Sequence, residues 1–188
     1  MNQIGLDVEA AVERDVSLSQ WFTPPALAEH VVAFCGDLRG KSVIEPAAGD
    51  GALVRPLRRA GASVLSCDID PRFDVDHAED FFSLDPPAHK FDFCVMNPPY
   101  EAGLDCAFLE RSLDWAHRTV AILRTHALHG VTRHQRVWSR VRVETVAFLV
   151  RRPRFGGAVS GSPKHEFCVV KFGPGNGDGP RRVEWWFL

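Results

Sequence analysis

With 188 residues, 45% of them hydrophobic and 24% charged, the chain has the apolar mass for one compact domain, which excludes a disordered, collagen-like or disulfide-scaffold protein. No stretch approaches the roughly 18 consecutive apolar residues of a membrane span, and the acidic start MNQIGLDVEAAVERD lacks the basic flank and apolar run of a signal peptide, so a cytoplasmic protein is expected. The net charge of −2 hides a split: residues 1–110 hold 8 Lys+Arg against 19 Asp+Glu (−11), and residues 111–188 hold 14 against 5 (+9), which points to a basic face for a polyanion or, more blandly, to solvated arginines.

In chain order, PPALAEHVVAFC predicts a helix: its prolines suit a helix N-terminus, and Leu27, Val31 and Phe34 recur at helical spacing. KSVIEP is a short apolar run ending in a turn, a strand. GALVRPLRRAG returns to a helix, with Pro56 in its first turn or kinking it. ASVLSCDID is a second strand that ends in acids, and FDFCVM a third, stopped by Asn97-Pro98-Pro99. Residues 102–116 place Leu104, Phe108, Leu109 and Trp115 on one helical stripe, and TVAILRT is a strand. HGVTRHQRVWSRV is a weaker helix or a loop. VETVAFLVRR and HEFCVVKF are two further strands joined by the Gly/Pro-rich PRFGGAVSGSP; GPGNGDGP is loop, and VEWWFL is a last edge strand or a packing anchor. Alternating strands and helices predict a single α/β domain built on a doubly wound, mainly parallel sheet with an antiparallel edge strand.

Five cysteines without close pairing suit reduced thiols, and Cys67, Cys94 and Cys168 lie in apolar runs as small hydrophobes. They form no zinc pattern. His126, His129 and His134 lack zinc spacing too and read as polar residues near a substrate channel.

In an open α/β sheet, ligands bind beyond the carboxyl ends of the strands. Four segments follow strands or flank them there. The first, Glu45 to Gly51, has Gly49 and Gly51 for a tight turn close to a ligand, but no Gly-x-Gly-x-x-Gly and no phosphate-binding lysine. Its acids repel pyrophosphate and suit an ammonium or sulfonium charge. The second ends in Asp68, placed to accept from ribose hydroxyls, and Asp70, which either joins it or forms the turn before Pro71. The third is Glu79-Asp80-Phe81-Phe82. In the fourth, two prolines stiffen the backbone so that the Asn97 side chain and the Pro98 carbonyl can accept from one amino group, while Tyr100 offers an aromatic face. Asp85-Pro86-Pro87 copies the proline pair without asparagine or a preceding strand and reads as loop.

With these residues in view, the chain resembles the class I S-adenosylmethionine-dependent amino-methyltransferases, and specifically the DNA adenine-N6 methyltransferases. The matching motifs are Trp21-Phe22-Thr23-Pro24-Pro25, the run Val43 to Gly51, Asp68-Ile69-Asp70-Pro71, Asp80-Phe81-Phe82 and Asn97-Pro98-Pro99-Tyr100. Their order is like that of the gamma group. Arg152-Pro153-Arg154-Phe155-Gly156-Gly157 and the run His165 to Val170 look like the C-terminal part of small phage and prophage enzymes. The resemblance covers roughly residues 19–172 and implies a methyltransferase domain over 19–175, between an N-terminal extension (1–18) and a C-terminal tail (176–188).

It implies a cofactor, S-adenosyl-L-methionine, leaving as S-adenosyl-L-homocysteine. Thr23, Pro24, Glu45 and Gly49 would lie at its methionine part, with Gly51 in the same loop. Asp68 would hold the ribose, Asp80 the adenine amino group, and Phe81 the adenine ring. Asn97, Pro98 and Tyr100 would hold the target base, with Phe155 stacking on it once flipped out. Arg133, Arg136, Arg152 and Arg154 are candidate contacts to nucleic acid, most directly DNA, although Arg133, Arg136, Arg140 and Arg142 also read as a solvated face. The larger relatives carry a recognition domain for which this chain has no room, so sequence reading falls to the segment Arg124 to Arg154, to a partner or to self-association. Methylation of RNA or of a protein glutamine, and an inactive binding subunit with the same fold, are the alternatives.

Overall fold

The computed structural model describes residues 20–156, 165–177 and 179–188. The proposed extension 1–18 and the loop 157–164 lie outside them. Seven strands form one sheet in the order β2-β1-β3-β4-β6-β5-β7. They are β1 (Ser42–Glu45), β2 (Ser63–Ser66), β3 (Phe91–Met96), β4 (Ala116–Arg124), β5 (Val141–Leu149), β6 (Phe167–Pro174) and β7 (Arg182–Trp186). Among the described residues four α-helices accompany them: α1 (Pro25–Cys35), α2 (Val54–Arg59), α3 (Leu104–Trp115) and α4 (Val131–Arg136).

Alternation along the strands builds the two faces. Val43, Phe93, Val95, Val120 and Ile122 point to one side and pack with Leu27, Val31, Leu53 and Leu57 of the α1 and α2 regions. Their neighbours Ile44, Cys94, Met96, Ala121 and Leu123 point to the other, with Phe108, Leu109 and Trp115 of α3. Prolines open α1, as expected, and Pro56 is buried within the first turn of α2. All five cysteines are buried and free, and burial pushes the thiols of Cys35, Cys67 and Cys168 up to about 12.

The doubly wound, mainly parallel sheet matches the expectation, with one correction. The antiparallel strand is not at the edge: β6 lies inside the sheet, between β4 and β5. β5 and β6 pair antiparallel with each other, and the chain then returns so that β7 lies parallel to β5 and closes that side. VEWWFL is therefore both things read from it. Its strand covers the edge, and Trp186 packs edge-on against Phe34 of α1 at 5.0 Å. The proposed tail thus adds a strand to the sheet.

Close approach at the β5–β6 pairing makes one glycine obligatory. A Cβ on Gly175 would overlap the Arg142 side chain and lie 2.5 Å from its backbone nitrogen. Gly175→Ala should cost roughly 1–3 kcal/mol through overpacking. Gly179→Ala, with nothing within 4 Å of its Cβ position, should leave the denaturant midpoint unchanged. Equal midpoints for both variants would contradict the packing seen here.

Candidate active site

Because β1, β2, β3 and β4 run parallel, their carboxyl ends share one edge of the sheet. A cavity of about 370 Å³ opens there, within the range of roughly 300–1,000 Å³ typical of small-molecule sites. Segments from all four predicted sites line it, together with residues 20–23 from ahead of α1. Among the described residues five carboxylates face it (Glu45, Asp50, Asp68, Asp80 and Glu101), and no Lys, Arg or His lines it.

Glu45 ends β1 and is 1% exposed, yet neither carboxylate oxygen makes a hydrogen bond to a described residue. Burial pushes its carboxyl well above the usual range. The nearby Ala47 amide opposes that shift, and the charges of Asp68 and Asp50 add to it. Asp68 does have partners: Oδ2 accepts from the Gly49 amide at 2.7 Å and Oδ1 from the Asp70 amide at 2.9 Å. Burial raises its carboxyl too. Asp68 therefore ties the two loops together while each oxygen keeps a lone pair for a ligand hydroxyl. Gly49 supports this close packing with φ +52°, its Cβ position 3.5 Å from the Phe22 ring. Asp70 takes the turn-forming reading. Its buried carboxylate holds Arg72 and accepts from Gln20 Nε2 at 2.6 Å, and the Arg72 contacts hold its carboxyl below the usual range.

Asn97, at the end of β3, is bonded across a long sequence separation. Its Nδ2 donates to the Trp21 carbonyl at 2.6 Å and to Thr23 Oγ1 at 3.1 Å, while Oδ1 accepts from the Tyr100 hydroxyl. Phe22 between them pairs with the backbone of Gly156. The N-terminal motif thus straps across the cavity and is held at both sides.

The structure brings Thr23, Glu45, Gly49, Asp68, Asp80, Phe81 and Asn97 to the cavity. Pro24 instead precedes α1 as its N-terminal cap, its carbonyl accepting from the Ala28 amide, and Gly51 serves the turn at φ +78°. Pro98 is buried beside the wall, which Pro99 forms. Tyr100 and Phe155, read as stacking faces, are both 4% exposed and pack with Phe167 behind the wall. Phe82, Leu104 and Phe108 line the cavity, the last two from the helical stripe expected over 102–116. Trp21 and Phe22 join them, and their place in the N-terminal motif was the available signal.

The candidate phosphate contacts are mostly engaged. Arg133 grips both oxygens of buried Asp105, because a carboxylate 1% exposed needs a counter-charge. Arg136 pairs with Glu110 at 2.6 Å and Arg152 with Glu166 at 2.5 Å, both pairs near the surface. Arg154 is exposed and, among the described residues, has no ion pair.

No family model matches the chain. Over 97 residues it is 34% identical to the Type II methyltransferase M.TthHB8I of Thermus thermophilus, a stretch that is 45% of this chain but 22% of that protein. The chain therefore spans about a fifth of that relative's length. A protein of Pyrococcus horikoshii provisionally named an RNA methyltransferase superposes with a TM-score of 0.69 at 19% identity, over 86% of this chain and 91% of that one. The M protein of the Type I restriction enzyme EcoKI superposes with 0.64 at 13% identity, over 84% and 44%. At these identities the likeness is one of fold: the chain has the α/β fold of methyltransferases.

The two acids should respond oppositely to neutral substitution. Asp68→Ala strands the Gly49 and Asp70 amides and should lower stability by about 1–3 kcal/mol. Glu45→Gln loses no partner. Because burial raises the folded-state value of Glu45 above its unfolded value, the wild type loses stability as pH climbs between the two. The glutamine variant should therefore gain on it from the ordinary carboxylate range upward. Thermal melts across pH check this; an equal loss in both variants would sink the assignment.

Proposed function

We propose that the chain is an S-adenosylmethionine-dependent methyltransferase acting on the exocyclic N6 amino group of adenine in DNA. One observation carries the reading. Asn97, which follows the sheet's third strand and begins the Asn-Pro-Pro-Tyr run, presents its carboxamide at a cavity walled by five carboxylates. The acidic lining fits a ligand that bears ammonium and sulfonium charge and repels one that bears phosphate. Glu45 supplies the strongest part of that fit, since its ionised form is poorly solvated until a cation or donor arrives.

When bound, S-adenosylmethionine supplies an electrophilic methyl group. Glu45, Gly49 and Thr23 hold its amino-acid end, Asp68 its ribose, and Asp80 with Phe81 its base. The chain's own task is the nucleophile. The lone pair of an adenine amino group is delocalised into its ring, so acceptors for the amino hydrogens favour a pyramidal nitrogen and stabilise positive charge as it forms. Asn97 Oδ1 and the Pro98 carbonyl are those acceptors, and their rigid setting supplies the positioning. Flipping brings the base to them if the target lies in a duplex.

The relation to a Type II methyltransferase supports DNA as substrate. An RNA amino group is the second reading, favoured by the likeness to the Pyrococcus protein across 91% of its length. Arg151 and Arg154, exposed and without ion pairs among the described residues, join Arg136 and Arg152 as contacts to phosphate. The likeness to the M protein of a restriction enzyme supports a partner or a second copy as the reader of base sequence.

Labelled S-adenosylmethionine incubated with DNA, RNA and protein, followed by nucleoside analysis, tests the reading directly: N6-methyladenine in DNA is expected. Label confined to RNA or protein, or none at all, would overturn it. Asn97→Ala should cut single-turnover methyl transfer at least about a hundredfold per folded molecule, with a much smaller loss of S-adenosylhomocysteine affinity. A folded variant with wild-type rate removes Asn97 from the mechanism.

Nucleic-acid affinity should fall steeply with salt, and charge reversal at Arg151 and Arg154 should weaken all sequences alike while flattening the salt slope by about one per lost contact. Binding indifferent to salt would point to a protein substrate.

A further inference from the structure

β7 closes the sheet, yet one of its faces is bare. Val183 and Trp185 fall on that face by alternation and are 51% and 64% exposed, and Phe187, just past the strand, continues the row at 77%. The opposite face is covered, since Trp186 and Leu188 pack against the cluster that holds α1. Large apolar side chains exposed in a row, rather than singly, mark a surface that binds something.

The row is mostly aromatic, and Trp185 is held in place. Its ring stacks on Phe148 of β5 at 5.1 Å with 30° between the planes, which occupies one face and leaves the other to solvent. Exposed arginines flank the row: Arg181 ahead of β7, and Arg151 and Arg154 beyond β5, none with an ion pair among the described residues. The Val150 amide donates to the Trp186 carbonyl at 2.9 Å, so Arg151 and Phe187 leave the sheet side by side. Glu184, the carboxylate of β7, alternates to the covered face, where Arg182 Nε and Trp186 Nε1 each meet it at 2.9 Å.

We propose that β7 and the end of β5 form a platform for single-stranded nucleic acid, on which unpaired bases stack on Trp185 and Phe187 while Arg151, Arg154 and Arg181 meet the phosphates. The platform deepens the reading of a nucleic-acid substrate given above and rests on it.

Stacking needs open ring faces and little else. Every base has a π-face, so such a surface holds a strand without reading it. Its position also fits. β6 runs antiparallel to both β4 and β5, and β7 runs parallel to β5, so β4, β5 and β7 point the same way. The carboxyl end of β7 therefore lies on the cavity's edge of the sheet, four places along from β3 and Asn97. At ~4.8 Å per strand that is about 19 Å, a distance that roughly six stacked nucleotides span at ~3.4 Å each. One strand then rests on the platform and sends a single base into the cavity. A second copy of the chain is the competing occupant. Two copies joined through this face would gather both sets of arginines into one interface, with no carboxylate of the bare row to pair them. A phosphate backbone meets all of them.

Fluorescence anisotropy of a labelled oligonucleotide of about 12 nucleotides tests the platform, with one sequence prepared as single-stranded DNA, single-stranded RNA and duplex. The wild type should bind a single strand more tightly than the duplex, the DNA and RNA arms separating the two sources. Trp185→Ala and Phe187→Ala should each weaken that binding about tenfold, since each ring stacks one base. Their salt slopes should match the wild type, because no phosphate contact is lost, whereas Arg181→Glu should flatten the slope. Trp185→Phe should recover most of the affinity and Trp185→Leu should not. Melting temperature and S-adenosylhomocysteine affinity, measured beside these, should stay near wild type. Leucine binding as well as tryptophan, or alanine variants at wild-type affinity, overturns the platform. So does a wild-type dimer that Trp185→Ala dissociates with strand affinity intact, which assigns the face to a second copy. A wild type that methylates nucleic acid while Trp185→Ala binds normally loses only the platform. One that binds strands through Trp185 but transfers no methyl group loses only the methyltransferase reading.

Discussion

The Asn97 carboxamide is the junction on which the cavity depends. Three hydrogen bonds leave one side chain at the end of β3, two of them toward Trp21 and Thr23, more than 70 residues earlier. Those bonds hold the segment ahead of α1 across the carboxyl edge of the sheet. From there Phe22 reaches both Gly49 of the first loop and Gly156 beyond β5. Cutting the amide would leave the N-terminal strap anchored mainly by Gln20 on Asp70 and by the Gly156 bridge. A single polar side chain therefore holds the N-terminal strap in place and itself lines the cavity.

The cavity's electrostatics follow from what the surrounding structure neutralises and what it leaves alone. Asp70 and Asp105 are as buried as Glu45, and each has an arginine. Among the described residues Glu45 has none, although it sits near Asp68 and Asp50. A fold gains nothing from an uncompensated buried carboxylate, which ordinarily raises its own proton affinity or is replaced. A ligand carrying positive charge, as proposed above, would supply what Glu45 lacks.

Much of this was legible locally. Short apolar runs ended by turns located β1 to β6, VEWWFL fitted an edge strand or a packing anchor, and the Asn-Pro-Pro-Tyr run and the acids after β1 and β2 marked the edge where the cavity lies. What escaped were relations between distant segments. Nothing within HEFCVVKF says that it lies between β4 and β5, because that place is decided by pairing with Thr119–Arg124 and Val141–Phe148. Leu104 and Phe108 fit a core stripe and a cavity wall equally well, since both demand apolar residues at helical spacing. The direction of the Tyr100 ring was equally hidden: an aromatic after Pro99 can turn outward to a base or inward to Phe167, and only the packing of β6 decides.

The charge split reads differently once the chain is folded. The basic second half meets the acidic first half within the molecule: Arg133 on Asp105, Arg136 and Arg140 on Glu110, Arg124 on Glu101. These pairs pin α4 and the end of β4 to α3 and to the loop after Asn97, so much of the apparent positive face is spent on internal geometry. The surface pairs among them are worth little individually and can exchange partners with a phosphate at small cost, whereas Arg133 on a buried carboxylate cannot. Arg151 and Arg154, exposed and without ion pairs among the described residues, stay outside these internal pairs, while the cavity's five carboxylates repel phosphate. A nucleic acid bound as proposed above would therefore have its phosphates turned away by the cavity's carboxylates, and an uncharged base would be the part able to enter.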